Sequence, residues 1–368
     1  MRLVYIANAN SIHTRRWLDP FIQRGDDVHL LSYMRVEQPW KGVRLIDLTR
    51  LPGPPKGKLY NWARWLRGYL RQIRPDILHA HQVTIAGWLG ALTGFHPYVI
   101  SAWGSDLLLA PDQSRRERWK IKFALRRCDG LTTPSSLMYS AAQRLGMSEQ
   151  RLHLIPWGVE TDIFSPSPQD QMATRLEFGI GQKEQVIFCP RGVKPVYNHD
   201  IHIRAVAALP QHINRPTICF LDFNSAADYK AELQQIIESN GVTSSVRWLP
   251  PQANAEAMAR LYRMADAVVS IPSSEGYGFS VFEALACGAP TLITDLPIFQ
   301  DVLEDGKHVL KTPVRDVSAT VNALQRLLTD HHLRERLHEN GPAAVRAMSV
   351  SRRIRLTDAL YSELAGSR

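Results

Sequence analysis

SIPSSEGYGFSVFEALACGAP, Ser270 to Pro290, combines three local signals in one run. The solid apolar stretch Ala267 to Ile271 leads into it, as in a short strand buried on both faces. Pro272-Ser273-Ser274-Glu275-Gly276-Tyr277-Gly278 follows as a turn, and a helix is expected to start near Phe279 or Ser280. Gly276 and Gly278 let backbone N–H groups come close to an anion. The helix start adds free N–H groups and a partial positive charge, so a diphosphate fits there. Glu275 stands just before the helix and Glu283 about one turn inside it, both placed to face a bound ligand. The plainer reading of the same run is a Gly-rich strand–helix turn with a capping Ser280 and a solvent-facing Glu283.

Outward from this run, short apolar strands alternate with amphipathic helices. The first series of expected strands is Arg2–Ile6, Val28–Ser32, Val43–Ile46, Ile77–Ala80, Tyr98–Ser101, Gly130–Thr133 and Leu152–Ile155. The second is Val186–Cys189, Thr217–Leu221, Val246–Leu249, Ala267–Ile271, Thr291–Ile293 and Val309–Leu310. Such alternation predicts parallel sheets with right-handed crossovers, in two doubly wound α/β lobes. The polar run from Phe164 to Gln171 carries Pro166 and Pro168, which disfavour helix, and reads as the linker. The expected division is 1–165, 166–348 and a final helix in 349–368, with Ile354, Leu356, Leu360 and Tyr361 on one side. Ligands of doubly wound sheets bind beyond the carboxyl ends of the strands, which predicts a site in a cleft between the lobes.

The chain has 368 residues, long for one domain and natural for two. Its 45% hydrophobic and 21% charged content is that of a globular protein and excludes low-complexity or collagen-like classes. The apolar run Leu3–Ile6 is too short for a signal-peptide core, and no stretch approaches the roughly 20 apolar residues of a membrane span. A cytoplasmic location is expected. Cys128, Cys189, Cys219 and Cys287 lack CxxC spacing and read as buried reduced thiols rather than metal ligands. The formal charge of +9 suits phosphate-rich partners. The densest basic stretch, RRERWKIKFALRR, sets Arg115, Arg116, Arg118, Lys120, Lys122, Arg126 and Arg127 against Glu117 alone. With Trp119, Ile121, Phe123 and Leu125 interleaved, it reads either as a helix with a solvated basic side or as one lying on the inner face of an anionic membrane. No nucleic-acid motif is present.

Further loops fall after expected strands. CPRGVKPVYNHD, Cys189 to Asp200, offers Arg191 and Lys194, cations suited to the charge that builds on a leaving phosphate. After the first strand, Asn8-Ala9-Asn10-Ser11-Ile12-His13 places Ser11 and His13, although Ser11 or Thr14 also suits a helix cap. His79 and His81 share one face of a strand, with no carboxylate or Cys beside them for a metal. SAWGSDLL holds Trp103 and Asp106, the latter equally suited to a turn. IPWGVETDIFSP holds Trp157.

Taken together these residues resemble glycosyltransferase family four. Glu275 and Glu283 have its Glu-x7-Glu spacing, and Glu283-Ala-Leu-Ala-Cys-Gly288 with Pro290 matches its tail. Arg191 matches its phosphate-binding Arg. The family's Lys position, about five residues on, is not met, and Lys194 is the candidate instead, as in a subset with Pro-x-Tyr-Asn after the cations. Trp103 stands where many relatives have a His that contacts the donor sugar, Trp157 replaces a usual Asn, and the usual Gly-Gly turn near Asn8 is absent.

The resemblance implies a GT-B fold and a metal-independent, anomer-retaining transfer from a nucleoside-diphosphate sugar, UDP- or GDP-linked, with no other cofactor. It implies Glu275 at the sugar, Glu283 at the ribose, Arg191 and Lys194 at the phosphates, and Gly276, Tyr277, Gly278, Phe279 and Ser280 around the donor. Ser11, His13, His81, Trp103 and Trp157 become acceptor-side candidates, with Asp106 as a candidate for the acceptor proton. An envelope polysaccharide or glycolipid acceptor is expected. A nucleotide-sugar epimerase of this fold and a non-catalytic binding relative are the alternatives.

Overall fold

The computed structural model describes residues 1–51 and 57–366. It divides into two compact units: Met1–Trp157 together with the residues from Ser351 on, and Gly158–Val350.

The first unit is built on β1 (Arg2–Ala7), β2 (Asp27–Ser32), β3 (Arg44–Asp47), β4 (Ile77–His81), β5 (Tyr98–Ser101), β6 (Gly130–Thr133) and β7 (Leu152–Leu154). All pairings are parallel, in the order β3-β2-β1-β4-β5-β6-β7. Its helices are α1 (Ile12–Gln23), α2 (Lys58–Ile73), α3 (Ile85–Thr93), α4 (Ser105–Leu108), α5 (Ala110–Gln113), α6 (Arg115–Arg127) and α7 (Ser136–Arg144). Alternation along β1 sends its side chains to two layers. Val4 and Ile6 join a core with Leu66 of α2, Leu89 of α3 and Ile121 of α6. Tyr5 points the other way, to Phe21 of α1 and His79 of β4.

The second unit repeats the plan with β8 (Val186–Cys189), β9 (Thr217–Leu221), β10 (Val246–Leu249), β11 (Ala267–Ser270), β12 (Thr291–Thr294) and β13 (Leu310–Thr312). Their order is β10-β9-β8-β11-β12-β13, again parallel. Its helices are α8 (Pro168–Glu177), α9 (His199–Ala207), α10 (Ala227–Ser239), α11 (Ala255–Met264), α12 (Phe279–Ala286), α13 (Val317–Thr329) and α14 (His331–Val345). Solid apolar runs such as Val186–Cys189 and Ala267–Ser270 are buried along their whole length, as strands covered on both faces must be. In both sheets the chain order reverses at one place, between β1 and β4 and between β8 and β11. Loops leaving adjacent strands diverge there and open a crevice beyond the carboxyl ends.

The last helix, α15 (Val350–Gly366), packs on the first unit. Arg353 lies over the Trp17 ring at 4.8 Å, and the Tyr361 hydroxyl meets that of Tyr5 at 3.0 Å. Its buried stripe is Arg353, Thr357, Leu360 and Tyr361, while Ile354 and Leu356 sit half-buried at its edges.

Two sequence expectations change here. The division falls at Trp157, ahead of the expected boundary at Ser165. The Phe164–Gln171 run is no free linker, because Phe164 is buried against Tyr262 within the second unit. Pro168 does not break a helix but opens one: it is the first residue of α8 after the cap Ser167, where a missing N–H costs nothing. Among the described residues no helix is long and apolar enough to cross a membrane.

Candidate functional site

In the second unit the loops after β8 and β11, the neighbouring strands at the reversal, carry Arg191 and Glu275. The guanidinium of Arg191 lies 2.9 Å from the Glu275 carboxylate through Nη2. That contact is an ion pair in distance but is not aligned as a hydrogen bond. Nη1 donates to the Ser280 hydroxyl at 2.9 Å, and the ring of Tyr197 lies under the guanidinium at 4.2 Å. Burial works against the Arg191 charge, but Glu275 and Tyr197 outweigh it and its pKa is raised. The other Glu275 oxygen accepts from the backbone N–H of Gly276 at 2.9 Å.

Helix α12 begins beside this pair. Gly278 is its cap at φ 88°, and a Cβ there would lie 2.7 Å from the Phe299 ring, so both backbone and space call for glycine. Ser280 is therefore not the cap; it sits in the first turn and turns its hydroxyl to Arg191. Glu283, in the next turn, is buried rather than solvent-facing, and Tyr262 of α11 donates to it at 3.0 Å. Tyr277 is buried against Phe279 and Phe282, so its ring serves packing. Lys194 is half-buried; its carbonyl accepts from the Tyr197 N–H, and its side chain makes no ion pair or hydrogen bond among the described residues. Sequence reasoning quoted Tyr197 in the Pro-x-Tyr-Asn run without giving it a role, and it missed Tyr262. A Tyr hydroxyl with a buried carboxylate partner, as in Tyr262, leaves no periodic or spacing signal.

In the first unit four of the acceptor-side candidates meet in one aromatic box. Trp103 lies 5.0 Å from Trp157, 5.3 Å from His81 and 5.9 Å from His13 between ring centroids. His13 is also 5.3 Å from Trp157. His81 is fully buried and neither of its ring nitrogens has a hydrogen-bond partner among the described residues, whereas His79 is satisfied by Tyr361 and Ser101. A buried polar group without a partner calls for an explanation such as a ligand or water. Ser11 holds the cap position of α1 without a side-chain cap bond, and it lines a cavity of about 280 Å³ with Asn10, Arg15, Glu37 and Trp40.

Asp106 takes the turn role of its two sequence readings. Its buried carboxylate accepts from the backbone N–H groups of Val83, Trp103 and Gly104 at 2.8 to 2.9 Å. It holds the turn that carries Trp103. Burial raises its pKa while those amides oppose the rise.

Among the described residues no group of three His, Cys, Asp or Glu side chains is arranged to hold a metal. The four cysteines are free and buried, with thiol pKa values pushed up to about 12 by burial. A further cavity of about 300 Å³, lined by Pro168, Arg263, Cys287, Arg334 and His338, includes none of Arg191, Glu275 or Ser280.

Residues 170–344 match the family described as glycosyl transferases group 1, and residues 2–135 match glycosyl transferase 4-like. Among curated proteins, a D-inositol 3-phosphate glycosyltransferase of Mycobacteroides abscessus is 32% identical over 48% of this chain and 39% of its own length. The matches to the first three such relatives span 39%, 52% and 44% of those proteins. One from Nocardia farcinica is 29% identical over 84% of this chain and 70% of its own length. Among solved structures, Anabaena Alr3699/HepE in complex with UDP aligns with a TM-score of 0.83 at 17% identity, covering 98% of this chain and 100% of that one. Sucrose-phosphate synthase from Thermosynechococcus elongatus aligns at 0.81 and 17% identity over 100% of both chains. The fold is GT-B.

The buried histidines give a pH test. Burial lowers the pKa of His79 to about 3 and those of His13 and His199 to about 4, and it holds His81 and His202 well below 6.5. Protons then bind only the unfolded chain, so stability is full above pH 6.5 and falls as the pH drops below it. Each histidine is expected to cost roughly 1 kcal/mol between pH 7.5 and 5.5. Urea unfolding at the two values measures this, and an unchanged stability would contradict it.

Proposed function

We propose that this chain, a glycosyltransferase by family over both matched segments, moves a sugar from a nucleoside-diphosphate sugar to an acceptor hydroxyl with retention at the anomeric carbon. The observation that carries the donor half is the meeting of Arg191, Glu275 and Ser280 at the start of α12. The diphosphate lies against the Gly278, Phe279 and Ser280 amides, where helix N–H groups and dipole favour an anion. Arg191, with Lys194 swung in, offsets the charge that develops as the sugar–phosphate bond breaks. Glu275 is freed from Arg191 by the phosphate and turns to the sugar, while Glu283 takes the ribose hydroxyls. The anomeric carbon passes through an oxocarbenium-like state, and the leaving phosphate accepts the acceptor's proton on the same face. These steps call on protein groups and the donor's own phosphate, without a metal.

On the acceptor side, His81 and His13 in the aromatic box and the cavity beside Ser11 bind the sugar or polyol that receives the transfer. Asp106 is left out of the catalytic set because three amides occupy its carboxylate. The solved Anabaena HepE complexes contain UDP and UDP-glucose, which supports UDP as the first donor base to test. The curated relatives are D-inositol 3-phosphate glycosyltransferases by name, so a phosphorylated inositol joins envelope saccharides and glycolipids as an acceptor to try.

An inner-membrane surface is the proposed partner of α2, α3 and α6. These pack side by side, α2 on α3 and α3 on α6. Helix α2 carries Lys58, Arg64, Arg67 and Arg71 and no acid, and α6 carries seven cations against Glu117. Ile121, Ala124 and Leu125 of α6 face the core, which leaves Trp119 57% exposed, and Leu109, just before α5, is 60% exposed. Cations around protruding apolar side chains suit an anionic bilayer.

A thermal-shift screen with UDP, GDP, ADP and their sugars should show one base raising the unfolding midpoint, because a ligand of the native state stabilises it by mass action. Glu275→Ala and Arg191→Ala are expected to stay folded and to lose transfer by at least about 100-fold. Wild-type transfer in both folded variants would overturn the site, and an epimerised donor sugar formed without acceptor would replace the reaction. In flotation, the protein should bind vesicles containing phosphatidylglycerol and not pure phosphatidylcholine, with Trp119→Ala weakening it. Equal binding to both vesicle types would contradict the membrane partner.

A further inference from the structure

Arg191 and Glu275 sit on different loops, yet both refer to one short turn, Pro195 to Asn198. Asn198 is fully buried and left-handed, at φ 52° and ψ 44°, a conformation that Asn tolerates better than other side chains with a Cβ. Its side chain uses its full hydrogen-bonding capacity. Nδ2 donates to the Ile271 carbonyl at 2.8 Å and to the Ser273 hydroxyl at 3.0 Å. Oδ1 accepts from Arg315 Nη1 at 2.9 Å and lies 3.1 Å from the Ser273 hydroxyl. The backbone N–H of Ser273 donates to the Val196 carbonyl at 2.8 Å. The turn is thus stapled to the segment just past β11, whose Ser273 stands two residues before Glu275.

The other side of the turn serves Arg191. Tyr197, next to Asn198, lies under the guanidinium at 4.2 Å. Arg315 closes the turn from behind by pairing with Asp200 at 2.9 Å, and Asp200 accepts from Tyr229. One turn therefore sets the height of the cation through Tyr197 and the origin of the glutamate loop through Asn198.

We propose that Asn198 is a positioning residue for transfer: through Ile271 and Ser273 on one side and Tyr197 on the other, it fixes the distance between the leaving-group cation and the glutamate at the sugar. It rests on the donor reading above and touches neither phosphate nor sugar itself. A displacement of about 1 Å between groups that act together can lower a rate by roughly 100-fold while leaving binding nearly intact. A structural residue alone would lower stability without dividing kcat from KM in this way.

The test is steady-state turnover of UDP-glucose and GDP-mannose, with UDP and GDP affinity measured by calorimetry, for the full chain and for Asn198→Gly. Glycine keeps the left-handed backbone and removes only the side-chain staple. The expected result is a kcat lowered about 100-fold with KM and nucleoside-diphosphate affinity within about threefold of wild type. Tyr197→Leu leaves every Asn198 bond in place and is the second variant should Asn198→Gly not fold. It is expected to lower kcat about tenfold, again at nearly constant KM. A wild-type kcat in the folded variant, or a loss confined to KM, overturns the proposal. Absence of turnover and of nucleoside-diphosphate binding in the wild type overturns instead the donor reading on which it rests.

Discussion

The ion pair between Arg191 and Glu275 is the constraint around which the second unit is organised. Its members leave adjacent parallel strands, β8 and β11, at the point where the strand order reverses. Two charges this far out of water are stable only while each compensates the other; removing one partner of a buried pair typically costs about 3–5 kcal/mol. The free protein therefore holds both charges ready in the crevice. A phosphate that reaches Arg191 can replace the carboxylate without leaving the guanidinium bare. The surrounding contacts serve that geometry. Ser280 ties the guanidinium to the start of α12, Gly278 lets that helix begin close by, and Tyr262 holds Glu283 on the following turn.

The first unit has a parallel organisation with different chemistry. Its reversal lies between β1 and β4. Four rings converge beyond those strands, His13, His81, Trp103 and Trp157, with Arg15 and Glu37 lining the cavity beside Ser11. Aromatic faces and neutral histidines suit a polyhydroxylated ligand better than a phosphate. Burial keeps His13 and His81 neutral, so they can accept hydrogen bonds from hydroxyls. The unit's opposite layer is covered by α2, α3 and α6.

Much of this was legible in the sequence. Strands buried on both faces write themselves as solid apolar runs, so Val186–Cys189 and Tyr98–Ser101 could be read to the residue. The Glu275–Gly278 turn declared itself because glycine and a helix start have local signatures. What failed depended on partners distant in sequence. Pro168 reads as a helix breaker until its place at the first position of α8 is known. Asp106 reads either as an acid for the acceptor or as a turn residue until Val83, more than twenty residues away, is seen donating to it. Tyr262 lies on an amphipathic helix face like any core aromatic, and only the fold brings its hydroxyl to Glu283. Asn198 stood in a quoted motif, but its link to Ile271 spans three strands and three helices of sequence.

The claim at the centre is that Arg191 is the cation for the leaving diphosphate. It is tested most directly by the affinity of a nucleoside diphosphate relative to its nucleoside, UDP against uridine and GDP against guanosine, in the wild type and in Arg191→Ala. Arg191 in that role gives the wild type a strong preference for one diphosphate over its nucleoside, and Arg191→Ala reduces the preference by at least about tenfold while the nucleoside binds unchanged. An equal preference in both proteins would contradict it.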